Sequence, residues 1–169
     1  MKLLIGSQKQ VLSIVESNPQ EYKDAIFIRI TSEGFNDLPF TTDREYLFDF
    51  PDMEEQEYLD NLDKLIEYKN KVEEVFDKEI RINPITEEEA QEIREIAERI
   101  KQEGIQKVVI HCDEGKCRSP SVAYAICLLL GERETAEMIK SSNYYRLSQT
   151  IIEKIVEVNN QFKNNVRRF

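Results

Sequence analysis

Cysteine and histidine are scarce in this chain, and their scarcity excludes whole classes of protein. There are three cysteines, Cys112, Cys117 and Cys127, an odd number without the spacing of a disulfide framework. The single histidine is His111. One His and three Cys fall short of a closed zinc set with its usual spacing, so no metal site and no cofactor are expected. No apolar run approaches the length needed to span a bilayer. The opening Met1-Lys2-Leu3-Leu4-Ile5 has one charge and a short apolar run, which reads as a first strand rather than a signal peptide. Free cysteines and no export signal make a reducing cytoplasm the expected compartment. Basic residues are outnumbered, 23 Lys and Arg against 33 Asp and Glu, for a net charge of −10. That balance argues against a nucleic-acid partner and against docking on anionic membranes, while leaving room for a local basic pocket.

What is present suits one folded domain. The chain has 169 residues, of which 40% are hydrophobic, enough for a real core. Residues 2–5 read as a strand ending at Gly6, and residues 8–16 as a short helix stopped by Asn18-Pro19. Residues 24–31, rich in Ile and Phe, form a candidate central strand, and residues 46–50 another. Between them, residues 32–42 carry the Gly, Asn, Asp and Pro of a loop. Residues 54–78 are highly charged, with Leu59, Leu62, Leu65, Ile66, Val72, Val75 and Phe76 at helical spacing. This predicts a helical insertion near 54–82 whose charges form a solvated face. Thr86, followed three residues later by Glu89, is a capping box that opens a helix ended by Gly104. Residues 106–112 read as a strand, 119–130 as a helix capped by Gly131, 134–140 as a short helix and 147–162 as a long one. Arg167 and Arg168 fall in a tail expected to fray. Strands alternating with helices predict an α/β fold with a mostly parallel central sheet flanked by helices. A site in such a sheet lies beyond the carboxyl end of a strand.

The stretch with most chemistry is 111–119, His-Cys-Asp-Glu-Gly-Lys-Cys-Arg-Ser. Val108-Val109-Ile110 leads into it, and Pro120 with an apolar helical segment follows. A strand therefore turns through a tight loop into a helix N-terminus, where unpaired backbone N–H groups and the helix dipole favour an anion. A thiol in that field loses its proton more readily than a free one, and the thiolate is the nucleophile. Arg118 brings a planar fork of donors suited to two oxygens of one phosphoryl group. Gly115 lets the backbone approach a ligand closely. Gly115-Lys116 is not a nucleotide-binding Walker loop, which would need Gly at 110 and Ser or Thr at 117 where the chain has Ile110 and Cys117.

This stretch resembles the signature loop of the cysteine-dependent protein tyrosine phosphatases, His-Cys-x5-Arg-Ser/Thr. The Gly three residues after the Cys also matches, and the Ser119-Pro120 that follows looks most like the compact dual-specificity branch and its bacterial and phage relatives. The resemblance implies a phosphotyrosine-phosphatase-like fold and phosphoryl transfer to Cys112 followed by hydrolysis of the phosphocysteine. It makes residues 113–118, Asp113, Glu114, Gly115, Lys116, Cys117 and Arg118, the phosphate-binding loop. It gives His111 the task of holding the loop and tuning the thiolate. Ser119 donates a hydrogen bond to the departing sulfur, a role compatible with capping the next helix. The family places a proton-donating Asp on a loop before the signature. Tryptophan is absent, which excludes the Trp-Pro-Asp form of that loop. Phe48-Asp49-Phe50-Pro51-Asp52 resembles the version in compact members, with Asp52 as the donor and Asp49 as the alternative. Asn143 and Gln149 resemble a supporting pair after the short helix; a helix-start Asn and a surface Gln is the plainer reading. Cys117 is a small loop filler or, under oxidation, a disulfide partner of Cys112. Cys127 belongs to the core.

Two other readings compete. A sulfurtransferase also carries Cys at a strand-to-helix loop, but the preceding His and the Arg-Ser after five residues favour the phosphatase. A phosphate-reading module without strong turnover is disfavoured by intact Cys112 and Arg118. The expected partner is a phosphorylated protein or a small phosphate ester. Asp113 and Glu114 are acidic, unlike the Lys-rich loops of the family's phosphoinositide-specific members, so the resemblance implies a phosphotyrosine-type substrate.

Overall fold

The computed structural model describes residues 1–31 and 44–157. The first strand, β1 (Lys2–Ser7), passes through Gly6 without breaking and runs directly into α1 (Gln8–Ser17). Ser7 ends the strand and caps the helix, accepting from the Gln10 N–H while the Gln10 side chain accepts from the Ser7 N–H. Then come β2 (Ile26–Ile30), β3 (Glu45–Phe48), α2 (Glu55–Asp60), α3 (Leu62–Phe76) and α4 (Glu87–Gln102). The chain continues through β4 (Lys107–Cys112), α5 (Arg118–Leu130), α6 (Arg133–Ser141) and α7 (Gln149–Val156).

The four strands make one sheet in the order β1-β4-β2-β3, with every pair parallel. β4 therefore lies inside the sheet, pairing Gly6 with His111 and Ser7 with Cys112 on one side and Ile28 with Ile110 on the other. Strands with both faces covered should be apolar nearly throughout, and β2 is buried at every residue. Alternation divides its neighbours between two cores. Val108 and Ile110 join Ile26, Ile28 and Ile30 against α4, α5 and α7. Val109 and Phe27 face the other way, toward Val11 and Val15 of α1.

The helix signals behave as their chemistry requires. Thr86 and Glu89 exchange hydrogen bonds with each other's backbone at the start of α4. At its end Gly104, with φ of +63°, lets Ile105 N–H reach Ile100 O at 3.0 Å. α5 is buried all round from Arg118 to Cys127, which fits the apolar run from Val122 onward, while Arg118, Ser119 and Ser121 in its first turn are buried with hydrogen-bond partners.

The segment after residue 54 departs from expectation. Instead of one helix there are two, meeting at Asn61, whose backbone and side-chain N–H groups both donate to Glu57 O. Neither helix buries a residue, and of the apolar residues at helical spacing Leu59, Ile66, Val75 and Phe76 are exposed. The last helix begins at Gln149 rather than 147, because Ser148 caps it through the Ile151 N–H. The loop expected at 32–42, the continuation of the last helix past 157 and the tail with Arg167 and Arg168 lie outside the described residues. Among the described residues no helix is long and apolar enough to cross a membrane.

Candidate active site

β4 delivers Cys112 to the carboxyl edge of the sheet, and five bent residues carry the chain from there to Arg118, the first residue of α5. The loop folds tightly because Gly115 sits on the β1–α1 junction. Its φ is +73°, and an added Cβ would fall 2.3 Å from the Ser7 nitrogen and 2.4 Å from the Gly6 carbonyl carbon. Only glycine fits both the angle and the space. That approach aims Gly115 N–H back at Cys112 Sγ, 3.2 Å away. Ser119 Oγ lies at the same 3.2 Å from the sulfur, with Gly6 O at 3.4 Å behind it. No side chain caps the start of α5, and its first turn holds no acidic residue.

Arg118 is buried, and its guanidinium donates to Asp113 Oδ2 at 2.6 Å and to Phe50 O at 3.3 Å. Those contacts fix the plane of the fork at the mouth of the loop. Asp52, just past β3, comes to the same place. Its Oδ1 accepts from Cys117 Sγ at 2.9 Å and its Oδ2 from the Arg146 guanidinium at 2.7 Å. Burial and then the neighbouring Asp52 push the Cys117 thiol up to about 12. Cys112, Arg118, Asp52, Lys116, Tyr144 and Arg146 all line one depression of about 500 Å3, with Asp113 and Glu114 at its edge.

A second set of bonds locks this arrangement from behind. Ser121 Oγ donates to Cys117 O at 2.6 Å and accepts from Ser148 N–H at 2.8 Å. Arg146 N–H reaches Lys116 O at 2.8 Å. Glu54 accepts from both the N–H and the hydroxyl of Thr150, at 3.0 and 2.6 Å, and that hydroxyl accepts from Glu55 N–H at 2.9 Å. The loop, the segment around Asp52 and the segment before α7 thus tie to one another in a ring.

The other candidates lie elsewhere. Asp49 is exposed, pairs with Arg81 at 2.7 Å and faces a separate groove of about 1130 Å3 between β3 and α3, with no cysteine, serine or histidine among the described residues of its wall. His111 is fully buried on the α1 face of the sheet, opposite Arg29, and neither ring nitrogen has a hydrogen-bond partner among the described residues. Burial, and then the charge of Arg29, pull it down to about 4. Asn143 is exposed in the turn after α6 and does not line the depression. Gln149 is exposed too and donates to Glu153 at 2.6 Å, one turn along α7. The bracing reserved for that pair is done instead by Ser148 and Arg146. Arg146 was visible as the single charged residue between Lys140 and Glu153, although nothing local gave it a partner.

No family model and no curated protein matches the chain by sequence. Solved structures do match. The human tyrosine phosphatase-like serine/threonine/tyrosine-interacting protein superposes with a TM-score of 0.54 and 13% identity, over 99% of this chain and 93% of that one. The Cydia pomonella PTP-2 phosphatase gives 0.53 and 15%, over 93% and 85%. PTPMT1, solved in complex with PI(5)P, gives 0.51 and 13%, over 99% and 93%. At such identities the likeness is one of fold: the chain shares the α/β fold of these phosphatases and the phosphatase-like protein.

Proposed function

We propose that the chain is a cysteine-dependent phosphatase acting on phosphate monoesters, with phosphotyrosine in proteins as the favoured substrate. The observation that carries this reading is the convergence of Cys112, Arg118 and Asp52 on one depression. The loop N–H groups and Arg118 hold the phosphoryl oxygens. The Cys112 thiolate attacks phosphorus, and the bond from phosphorus to the ester oxygen breaks. Asp52, protonated for this step, gives its proton to the departing oxygen. A water then attacks the phosphocysteine and loses a proton to the Asp52 carboxylate. The sulfur leaves as a thiolate that Ser119 Oγ and Gly115 N–H are placed to receive, and inorganic phosphate is released.

The charges around the depression support a singly phosphorylated substrate. Three acids, Asp52, Asp113 and Glu114, balance three bases, Lys116, Arg118 and Arg146. Four of the six are paired with one another, Arg118 with Asp113 and Arg146 with Asp52. Such a site offers little to the extra phosphates of a highly phosphorylated headgroup. Tyr144 at the rim, with the Lys116 ammonium 5.9 Å from its ring centre, offers a face for an aryl group. We read the whole chain, 1–169, as one phosphatase-like domain, with residues 54–82 a helical addition that contributes little to the core.

The test is phosphate release from a phosphotyrosine peptide and from the matching phosphoserine peptide, by wild type and by Cys112→Ser. Faster release from phosphotyrosine, lost in the variant, supports the reading. Equal release by both proteins overturns it.

A further inference from the structure

Two donors from distant parts of the chain grip opposite oxygens of the same carboxylate. Asp52 sits in the short connection between β3 and α2, outside any regular element. Left alone, a carboxyl group on such a connection rotates freely, and a proton donor is effective only when the protonated oxygen faces the leaving group. Here Cys117 holds Oδ1 at 2.9 Å and Arg146 holds Oδ2 at 2.7 Å. Both donors spring from backbone held at the loop. Cys117 is buried at the N-cap of α5, with its carbonyl held by Ser121. The Arg146 side chain is 79% exposed, but its backbone N–H is tied to Lys116 O, inside the loop.

We propose that Cys117 and Arg146 are positioning residues that register Asp52 to the phosphate-binding loop. This rests on the reading of Asp52 as the proton donor. The arrangement has a specific consequence. Both donors are anchored to residues 116–117, so the acid keeps its place relative to the phosphoryl group even if the β3–α2 connection shifts. With its thiol pushed up to about 12, Cys117 stays S–H at every working pH and remains a donor. A plain filler at this position would need no hydrogen to give, and alanine would serve equally well.

The experiment compares kcat/KM on phenyl phosphate, whose leaving oxygen is basic, with kcat/KM on 2,4-dinitrophenyl phosphate, whose leaving oxygen is not. The ratio of the two reports on proton donation during formation of the phosphocysteine, and a general loosening of the fold lowers both rates without moving it. We expect Cys117→Ala to lower the phenyl-to-dinitrophenyl ratio about tenfold, a fraction of what a positioned general acid contributes. Cys117→Ser, which keeps a donor, should recover the ratio to within about threefold of wild type. Arg146→Gln, a change at an exposed side chain, should lower the ratio as well and reads the second arm if Cys117→Ala fails to fold. In an Asp52→Asn background neither change should lower it further. If Asp52→Asn itself leaves the ratio unmoved, the assignment of the acid falls. If Asp52→Asn lowers the ratio while Cys117→Ala and Arg146→Gln do not, the acid stands and the positioning role is overturned.

Discussion

Cys117 gives its thiol hydrogen to Oδ1 of Asp52 at 2.9 Å, across a separation of 65 residues. Five positions earlier, Cys112 does the opposite and accepts at sulfur from the Gly115 N–H. One loop thus holds two thiols with opposed surroundings, one facing backbone donors and the other facing a carboxylate. Desolvation, joined by Asp52 at Cys117 and by Glu132 at Cys127, pushes those two thiols up to about 12 and about 11. At pH 7 iodoacetamide should therefore alkylate Cys112 first, with Cys117 and Cys127 slower by about a hundredfold or more, since only thiolates react. Peptide mapping by mass spectrometry over a time course checks the order. Early labelling of Cys117 would contradict it.

Asp52 and Asp49 separate cleanly in space, and their variants should separate in kinetics. Asp52→Asn should lower kcat about 10²–10³-fold on phenyl phosphate, the range expected when a general acid is removed. Asp49 only pairs with Arg81 at the surface, so Asp49→Asn should change kcat by less than about twofold and stability by less than about 1 kcal/mol. Steady-state rates beside urea melts check both. Equal losses from the two variants would remove Asp52 from the mechanism.

Gly115→Ala tests the seat of the loop. The new Cβ would fall 2.3 Å from the Ser7 nitrogen, and backbone cannot yield as a side-chain tip can. The positive φ adds strain of its own. We expect a loss on the order of 3 kcal/mol in stability together with most of the activity. Chemical denaturation and kcat/KM report the two effects. Wild-type values for both would mean that the loop does not rest on the β1–α1 junction.

His111 links the site to acid stability. Its folded value of about 4 lies below the ordinary 6.5, held there by burial and by Arg29, with Asp113 opposing. The unfolded chain therefore binds more protons than the native one between these values, so native stability falls as pH drops from about 6.5 to about 4. The loss attributable to this group is on the order of 3 kcal/mol. Replacing it by His111→Gln should flatten that part of the stability–pH curve, measured by urea titration at a series of pH values. An unchanged slope would mean that the imidazole is not held neutral.

Local signals carried much of the fold. Val108 to Ile110, the tight loop and Pro120 spelled out the strand, turn and helix that hold Cys112. Thr86 with Glu89, and Gly104, marked both ends of α4 because capping chemistry acts within one helical turn. The break at Asn61 was hidden, since apolar spacing continues through it and only the Asn61 backbone, at φ −119° and ψ 16°, leaves helical geometry while its N–H still donates to Glu57 O. The ring around the site was hidden for another reason. Arg146 meets Asp52 across 94 residues and Ser148 meets Ser121 across 27, so neither pairing leaves a local trace. The same holds for His111, whose place on the α1 face follows from strand alternation but whose lack of partners depends on β2 beside it.

The most direct test is to trap the covalent intermediate. Wild type and Cys112→Ser would be mixed with a 32P-labelled phosphotyrosine peptide, quenched in acid within the first turnover and mapped by peptide. We expect label on the peptide that contains Cys112 in the wild type and none in Cys112→Ser, which should still bind the phosphopeptide because the loop N–H groups and Arg118 remain. Sustained turnover by Cys112→Ser, or label at another residue, would contradict the assignment of Cys112 as the nucleophile.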